Sequence, residues 1–135
     1  MVAKSVEITQ AEPNTELLCV ATYLPLRRYR DIIPFMRMTF RIEKQLKGSP
    51  GLVRYGLRTD IPKKRFWTFS VWKDKASANS FVREQPHHQA VELFARWAGK
   101  GAAFVEWSSA EAPIDWGKAM ERLRIPMFYY KPPGK

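Results

Sequence analysis

The sequence predicts an α+β domain of the ferredoxin-like type, with an antiparallel sheet of four strands in the order 4-1-3-2. Three observations lead to this prediction. Strand and helix patterns follow one another in the order β-α-β-β-α-β. The first and third strand patterns are apolar on both faces, which is typical of central strands, whereas the second and fourth are more polar. The ferredoxin-like order places strands one and three in the centre, so pattern and topology agree.

The first half of the chain begins with a polar segment. Because residues 1–16 are mostly polar, we expect a loosely held arm, with an edge strand as the alternative. Leu17–Leu24 is the first strand, and Pro25 ends it. An amphipathic helix follows from about Asp31 to Lys47 and is expected to lie on the sheet. Its apolar side carries Phe35, Met38, Ile42 and Leu46, and its other side carries Arg37, Arg41, Lys44 and Lys47.

The second half of the domain contains the other three strands. Residues 52–59 alternate between apolar and polar side chains, and residues 66–72 are aromatic, β-branched or small on both faces. Asp74 is a suitable N-cap for the helix that follows. Pro86 is suited to open a further short helix that carries both histidines. The fourth strand is predicted at residues 102–108.

The domain is predicted to span residues 17–110, followed by a tail at residues 111–135. The tail contains a short helix near residues 115–123 and ends in an apolar segment, so we expect it to pack on the domain or on a partner subunit. Both faces of the predicted sheet are apolar, yet the helices between the strands cover only one. A second copy of the chain is the simplest cover for the other face, which predicts a homodimer.

Composition limits the class of protein. The net charge of +10 is compatible with binding to nucleic acid, anionic lipid or an acidic ligand, but the basic residues are dispersed along the chain, so we favour a solvated basic surface. The single cysteine, Cys19, allows no internal disulfide and is interpreted as an inert buried thiol. No apolar run resembles a signal peptide or a membrane span, and we expect a cytoplasmic protein that has no membrane partner.

Few residues carry recognisable chemistry, and the sequence has no phosphate-binding loop, CxxC or HExxH motif. His87 and His88 are adjacent, so on a helix their side chains point about 100° apart and cannot jointly hold one metal ion. Either histidine suits the role of an axial haem ligand or a proton shuttle; the alternative is a polar residue at a helix start. Trp72 ends a central strand and is either a core anchor or the wall of a ligand pocket.

The aromatic residues around this strand predict a ligand site. Together they supply enough aromatic surface to hold a flat apolar molecule. Arg58 either binds an anionic group of such a ligand or is a solvated charge. The candidate aromatic ligand-binding residues are Tyr55, Trp67, Phe69, Phe81 and Trp107.

Two stretches carry a family resemblance. GLVRYGLRTD and FWTFSVWKDKASANSFVREQPHHQAV resemble the antibiotic biosynthesis monooxygenase type of the dimeric α+β barrel superfamily. The matching features are the Pro50-Gly51-Leu52 strand start, the Trp72-Lys73-Asp74 turn, Phe81 in the helix and the pair His87-His88. The C-terminal part, with Trp107 and Trp116, is also similar to haem-dependent carotenoid (spheroidene) monooxygenases.

The resemblance implies a homodimer whose two sheets form a barrel, with a pocket between sheet and helices in each subunit. It implies oxidation of polycyclic phenols without a cofactor, with a tryptophan at the position of Trp72. Haem is the cofactor of other members, which degrade it with an asparagine on the first strand and a tryptophan in the helix. This chain has Thr22 and Phe81 at those places, so haem degradation of that kind is not expected.

Three functional hypotheses follow from these observations. The first is a monooxygenase-like enzyme acting on a small aromatic or polyene ligand, with Trp72, His87 and His88 as its catalytic residues. The second is a dimeric binding protein with an apolar pocket and no catalysis. The third, which the dispersed charge disfavours, is binding of nucleic acid through the basic surface.

Overall fold

The computed structural model describes residues 2–8, 15–83, 96–99, 101–110, 113–125 and 128–129. In this part of the chain, six antiparallel strands form one sheet in the order β1-β3-β4-β2-β5-β6. The strands are β1 (Val2–Glu7), β2 (Glu16–Pro25), β3 (Leu52–Asp60), β4 (Arg65–Trp72), β5 (Ala103–Ala110) and β6 (Phe128–Tyr129). The helices are α1 (Ile32–Lys47), which follows a 3-10 turn, α2 (Lys75–Arg83) and α3 (Trp116–Leu123).

The four predicted strands occupy the predicted places. The central order β5-β2-β4-β3 is the order 4-1-3-2, so the ferredoxin-like arrangement is confirmed. Strand β1 adds to the outer edge of β3, from the pair Val2 and Thr59 to the pair Glu7 and Arg54. The N-terminal segment therefore forms the alternative edge strand instead of a loose arm over these residues, because the free edge of β3 offers its backbone groups as partners.

Two aspartates begin helices as N-caps. The Asp74 carboxylate accepts a hydrogen bond from the Ser77 amide at 2.7 Å, as predicted for α2. The Asp115 carboxylate accepts one from the Lys118 amide at 3.1 Å and begins α3. Asp31 precedes α1 but makes no side-chain cap, because its carboxylate pairs with Arg28 instead, at 3.1 Å. The short helix predicted from Pro86 lies outside the described residues.

The two faces of the sheet have separate cores. We call the face under α1 and α2 the helix side, and the opposite face the rear. The helix-side core contains Leu46, Leu52, Tyr55, Trp72, Ala78 and Phe81. The rear core contains Leu17, Cys19, Ala21, Val53, Phe69, Val71, Val105 and Trp107, together with Ala119 of α3.

The rear face is covered by the chain itself. Ala119 of α3 is fully buried against it, and Ile114, Trp116 and Leu123 pack around it. Gly56 of β3 allows this close approach, since a Cβ atom there would lie 2.8 Å from the Ile114 side chain. The premise that only one face has a covering helix was therefore wrong, because the tail supplies a third helix. The homodimer stays a prediction. The rear face does not need a second copy of the chain to cover it, because α3 already does so.

Strand β3 also departs from simple alternation. Val53 and Tyr55 were expected on one face, but Val53 belongs to the rear core and Tyr55 to the helix-side core. The cause is a register shift between Leu52 and Arg54 in the pairing with β4, which turns the strand by one residue.

None of the described helices is long and apolar enough to cross a membrane.

Candidate functional site

A cavity of about 280 Å³ lies between α1 and the helix side of the sheet. Its floor is formed by small side chains of the two central strands, Thr22 of β2 and Thr68 and Ser70 of β4. On β4 these two small residues stand between Phe66 and Trp72 on the same face, so helix α1 spans a gap between two large rings. The remaining wall is mostly apolar and includes Phe35, Met38, Ile42, Leu46, Leu57, Phe81 and Trp97.

A buried carboxylate is the main polar feature of the cavity wall. Glu43 of α1 points inward and is only 7% exposed. Its Oε2 atom accepts a hydrogen bond from the Tyr55 hydroxyl at 2.6 Å and one from Lys4 Nζ at 2.6 Å. Tyr55 is itself buried, whereas the Lys4 side chain is half exposed on the edge strand β1. The three residues join α1, β3 and β1 at one side of the cavity.

These contacts determine the charge of the cluster. Burial, the largest single influence, raises the pKa of Glu43, but the hydrogen bonds from Lys4 and Tyr55 outweigh it and leave the pKa below its ordinary value. Burial and the neighbouring carboxylate raise the pKa of Tyr55. At neutral pH the pair is therefore a charged carboxylate and a neutral phenol. Among the described residues, both hydrogen bonds to Glu43 are made by its Oε2 atom and none by Oε1.

The other polar groups around the cavity bond to one another. The hydroxyls of Thr22 and Thr68 form a pair across the two central strands. Trp72 Nε1 donates to Ser70 Oγ at 2.9 Å, and the Thr39 hydroxyl donates to the Phe35 carbonyl at 2.9 Å. The floor therefore presents paired hydroxyls, and a buried apolar ligand would leave none of these groups without a partner.

The predicted ligand-binding residues Tyr55 and Phe81 do line this cavity. Trp72 does not belong to its lining and is 2% exposed. Its ring lies 5.4 Å from that of Phe81, centroid to centroid, and its indole nitrogen holds the Ser70 hydroxyl. Of the two alternatives for Trp72, the structure places it as a core anchor that supports the cavity from below.

The other predicted aromatic residues lie mainly on the rear face. The Phe69 ring is 5.4 Å from Trp107, although Phe69 also borders the cavity. Trp67 stacks on Tyr23 at 5.5 Å, and the Arg58 guanidinium lies 5.2 Å above the Trp67 ring. The structure thus divides the predicted aromatic group between two faces, because neighbouring residues of a strand point to opposite sides.

The remaining candidates do not supply a metal site in the described residues. His87 and His88 lie outside them. No group of three or more metal-binding side chains occurs in the part of the chain that the structure describes. The described cavity wall offers hydroxyls, the Tyr55 phenol and one carboxylate but no imidazole or thiolate, and the axial haem ligand predicted at His87 or His88 lies outside the described residues. Burial raises the pKa of Cys19 to about 11, which agrees with an inert thiol.

Glu43 and Lys4 are the residues that sequence reasoning missed. A usable signal for Glu43 was present, because it is the only acidic residue of α1 and lies four residues after Thr39 and three before Leu46, on the inward face. Lys4 had no such signal, since its role depends on the pairing of β1 with β3.

A smaller cavity of about 190 Å³ adjoins the first between β1 and α1. The two share lining residues, Leu24, Phe35, Thr39, Leu57 and Thr68. Its outer rim includes Val2, which is 69% exposed, and Phe40, which is 59% exposed. The smaller cavity therefore lies beside the larger one and is bordered by exposed side chains.

Comparison with solved structures identifies the fold. The chain is similar to an antibiotic biosynthesis monooxygenase (14% identity, 71% of this chain and 99% of that one, TM-score 0.58). It is similar to SnoaB, a cofactor-independent oxygenase from Streptomyces nogalater (12% identity, 75% and 99%, TM-score 0.55). A conserved protein from Methanosarcina mazei Go1 also matches (14% identity, 67% and 90%, TM-score 0.60). No protein-family model and no curated protein matches the chain. The resemblance to antibiotic biosynthesis monooxygenase-like proteins is thus confirmed at the level of the fold.

Proposed function

We propose that this protein is monooxygenase-like and binds a small, largely apolar aromatic or polyene ligand that carries a hydroxyl group. The observation that supports this proposal is the helix-side cavity, which is mostly apolar and has one charged acceptor, Glu43, in its wall. A ligand pocket of this kind, apolar with one well-placed polar group, selects both shape and a polar anchor. The fold, shared with a cofactor-independent oxygenase, adds support by analogy only.

The chemistry follows from the state of the carboxylate. Glu43 is charged, and Tyr55 and Lys4 hold its Oε2 atom, so Oε1 accepts a hydrogen bond from the ligand hydroxyl. This contact draws the hydroxyl proton away from the ring and makes the ring more electron-rich toward dioxygen. Conversion of a phenol to a quinone then balances without a cofactor: one oxygen atom of O₂ enters the ring, and the other leaves as water with two hydrogen atoms from the substrate.

Binding of matched ligands tests the proposal. The probes are a dihydroxynaphthalene and unsubstituted naphthalene, titrated by the fluorescence of Trp97 and the other tryptophans. Glu43→Gln should weaken binding of the dihydroxy compound about 10- to 100-fold, the range for a lost hydrogen bond to a charged group, and leave naphthalene unchanged. Glu106→Gln is the matched control, because Glu106 also pairs with a lysine, Lys75, but does not line the cavity. Equal losses for both ligands or in both variants would refute the proposed anchor.

A second candidate is ligand binding without catalysis. The observation that favours it is the lowered pKa of Glu43, because a carboxylate with a low pKa is a weak base for removing a phenolic proton. Dioxygen uptake with the dihydroxynaphthalene separates the two candidates. Uptake that is lost in Glu43→Gln supports the enzyme, whereas tight binding with no uptake assigns the protein to ligand binding alone.

A further inference from the structure

The outward face of α1 combines exposed apolar side chains with positive charge. Ile33 is 69% exposed and Phe40 is 59% exposed, and both lie on the same face of the helix. Arg37 and Lys44 are exposed beside them. With about 100° per residue, these four positions fall within an arc of about 60° on an ideal helix. We call this stripe, with the adjacent exposed Arg41, the outer face of α1.

This face has no negative charge of its own. The only acidic residue of α1, Glu43, is buried and points into the cavity. Among the described residues, none of the ion pairs involves Arg37, Arg41 or Lys44. Within the described part of the chain, the outer face therefore presents unpaired positive charge around two apolar side chains, in a protein whose net charge is +10.

The outer face borders the smaller cavity. Phe40 belongs both to this face and to the lining of that cavity, which also includes Val2. The smaller cavity shares five lining residues with the larger one, so the two cavities are neighbours. A surface that contacts the outer face is therefore close to the ligand cavities.

We propose that the outer face of α1 docks on an anionic lipid bilayer, with Ile33 and Phe40 among the headgroups and the basic side chains on the lipid phosphates. Charge complementarity selects this partner, because basic side chains are attracted to anionic lipids and the exposed apolar side chains beside them can enter the headgroup region. Two copies of this chain would repel one another through this face. Nucleic acid would use the charge but would give no role to Ile33 and Phe40. The docking surface goes beyond the proposed function and does not depend on it.

Co-sedimentation with vesicles tests the charge contribution. The full chain should bind vesicles of phosphatidylcholine with one third phosphatidylglycerol, should not bind vesicles of phosphatidylcholine alone, and should bind less as salt rises. Each basic residue removed near the membrane should weaken partitioning about fivefold, so Arg37→Glu/Lys44→Glu should lose at least about 25-fold. Lys118→Glu/Arg124→Glu on α3 changes the net charge equally and should retain most of the binding. Equal loss in both double variants would overturn the proposal, because net charge alone would then explain it.

A labelled cysteine tests the apolar contribution. The single native cysteine, Cys19, is buried with a raised pKa, so a surface cysteine can be labelled selectively. An environment-sensitive dye on Phe40→Cys should shift to the blue on anionic vesicles, whereas the same dye on Ile125→Cys, at an 85% exposed position, should not. Phe40→Asp should reduce vesicle binding at least tenfold. If the dye at position 40 still reports an aqueous environment when the protein is bound to vesicles, the proposed insertion of Phe40 among the headgroups is overturned.

Competing partners give different results in the same assays. Binding of duplex DNA that is sensitive to Arg37→Glu/Lys44→Glu but indifferent to Phe40→Asp, with no binding to vesicles, would assign the face to nucleic acid and overturn the proposal. A concentration-dependent dimer that Phe40→Asp dissociates, again without vesicle binding, would assign it to a second copy of the chain.

Discussion

The two faces of the sheet are built from the same strands, yet one is filled and the other is hollow. On β4 the rear face carries Trp67, Phe69 and Val71, whereas the helix side carries Thr68 and Ser70 between two aromatic residues. The rear is closed by α3, which approaches closely because Gly56 has no side chain. The helix side keeps a cavity of about 280 Å³ under α1. Stability should therefore depend mainly on the rear face, and ligand binding on the helix side.

The largest effect is expected from Phe69→Ala on the rear face. Phe69 is 1% exposed, and its ring contacts those of Trp107 and Trp116. Its removal should lower the free energy of unfolding by about 3–5 kcal/mol, measured by urea denaturation. The neighbouring Thr68→Ala, which faces the cavity, should lose about 1 kcal/mol. Similar losses in the two variants would show that the rear face is not the better packed one.

Gly56→Ala tests how closely α3 packs on the rear. The added Cβ would lie 2.8 Å from Ile114 Cγ2, 3.1 Å from the Trp116 ring and 3.2 Å from the Lys4 carbonyl. This overpacking should lower the free energy of unfolding by about 1–3 kcal/mol. Ile114→Ala in the same chain should restore part of the loss, because it removes the nearest contact. If Gly56→Ala is neutral in thermal and urea unfolding, α3 does not hold the position described.

The sequence predicted the sheet better than it predicted this contrast between faces. Two-sided apolar patterns identified the central strands, and Asp74 identified the start of α2, because both signals are local. The position of α3 was not predictable, since the pattern of a short amphipathic helix does not state which surface it covers. The turn of Val53 to the rear depends on a register shift between two strands, which is a tertiary property. The cavity depends on which small residues of β2 and β4 become neighbours, Thr22 and Thr68 above all.

The charged cluster on the helix side should give stability a dependence on pH. Because the pKa of Glu43 is lower in the folded chain than in the unfolded one, its contribution is complete above the ordinary glutamate pKa of about 4.3 and is lost as pH falls through the folded pKa. Wild-type protein should therefore lose more of its free energy of unfolding than Glu43→Gln when urea unfolding at pH 7 is compared with unfolding below pH 4.

Two controls identify the source of that dependence. Tyr55→Phe removes one of the two hydrogen bonds to Glu43 Oε2 and should reduce the difference. Glu106→Gln, which alters an ion pair outside the cavity, should leave it in place. An identical pH profile in wild-type and Glu43→Gln protein would mean that the carboxylate is solvated rather than held by Tyr55 and Lys4.

The smallest effects, at the cavity floor, decide whether the helix side is dry. Thr22 and Thr68 pair their hydroxyls across β2 and β4. In a dry cavity, Thr22→Val or Thr68→Val alone leaves one hydroxyl without a partner and should lower the free energy of unfolding by about 1 kcal/mol, whereas the double variant removes both hydroxyls and should be nearly neutral. In a water-filled cavity, water would replace the missing partner, so both single variants would be neutral and the double variant would show no coupling. A coupling of about 2 kcal/mol in urea unfolding therefore supports a floor that accepts an apolar ligand, and additive changes argue for a wet cleft.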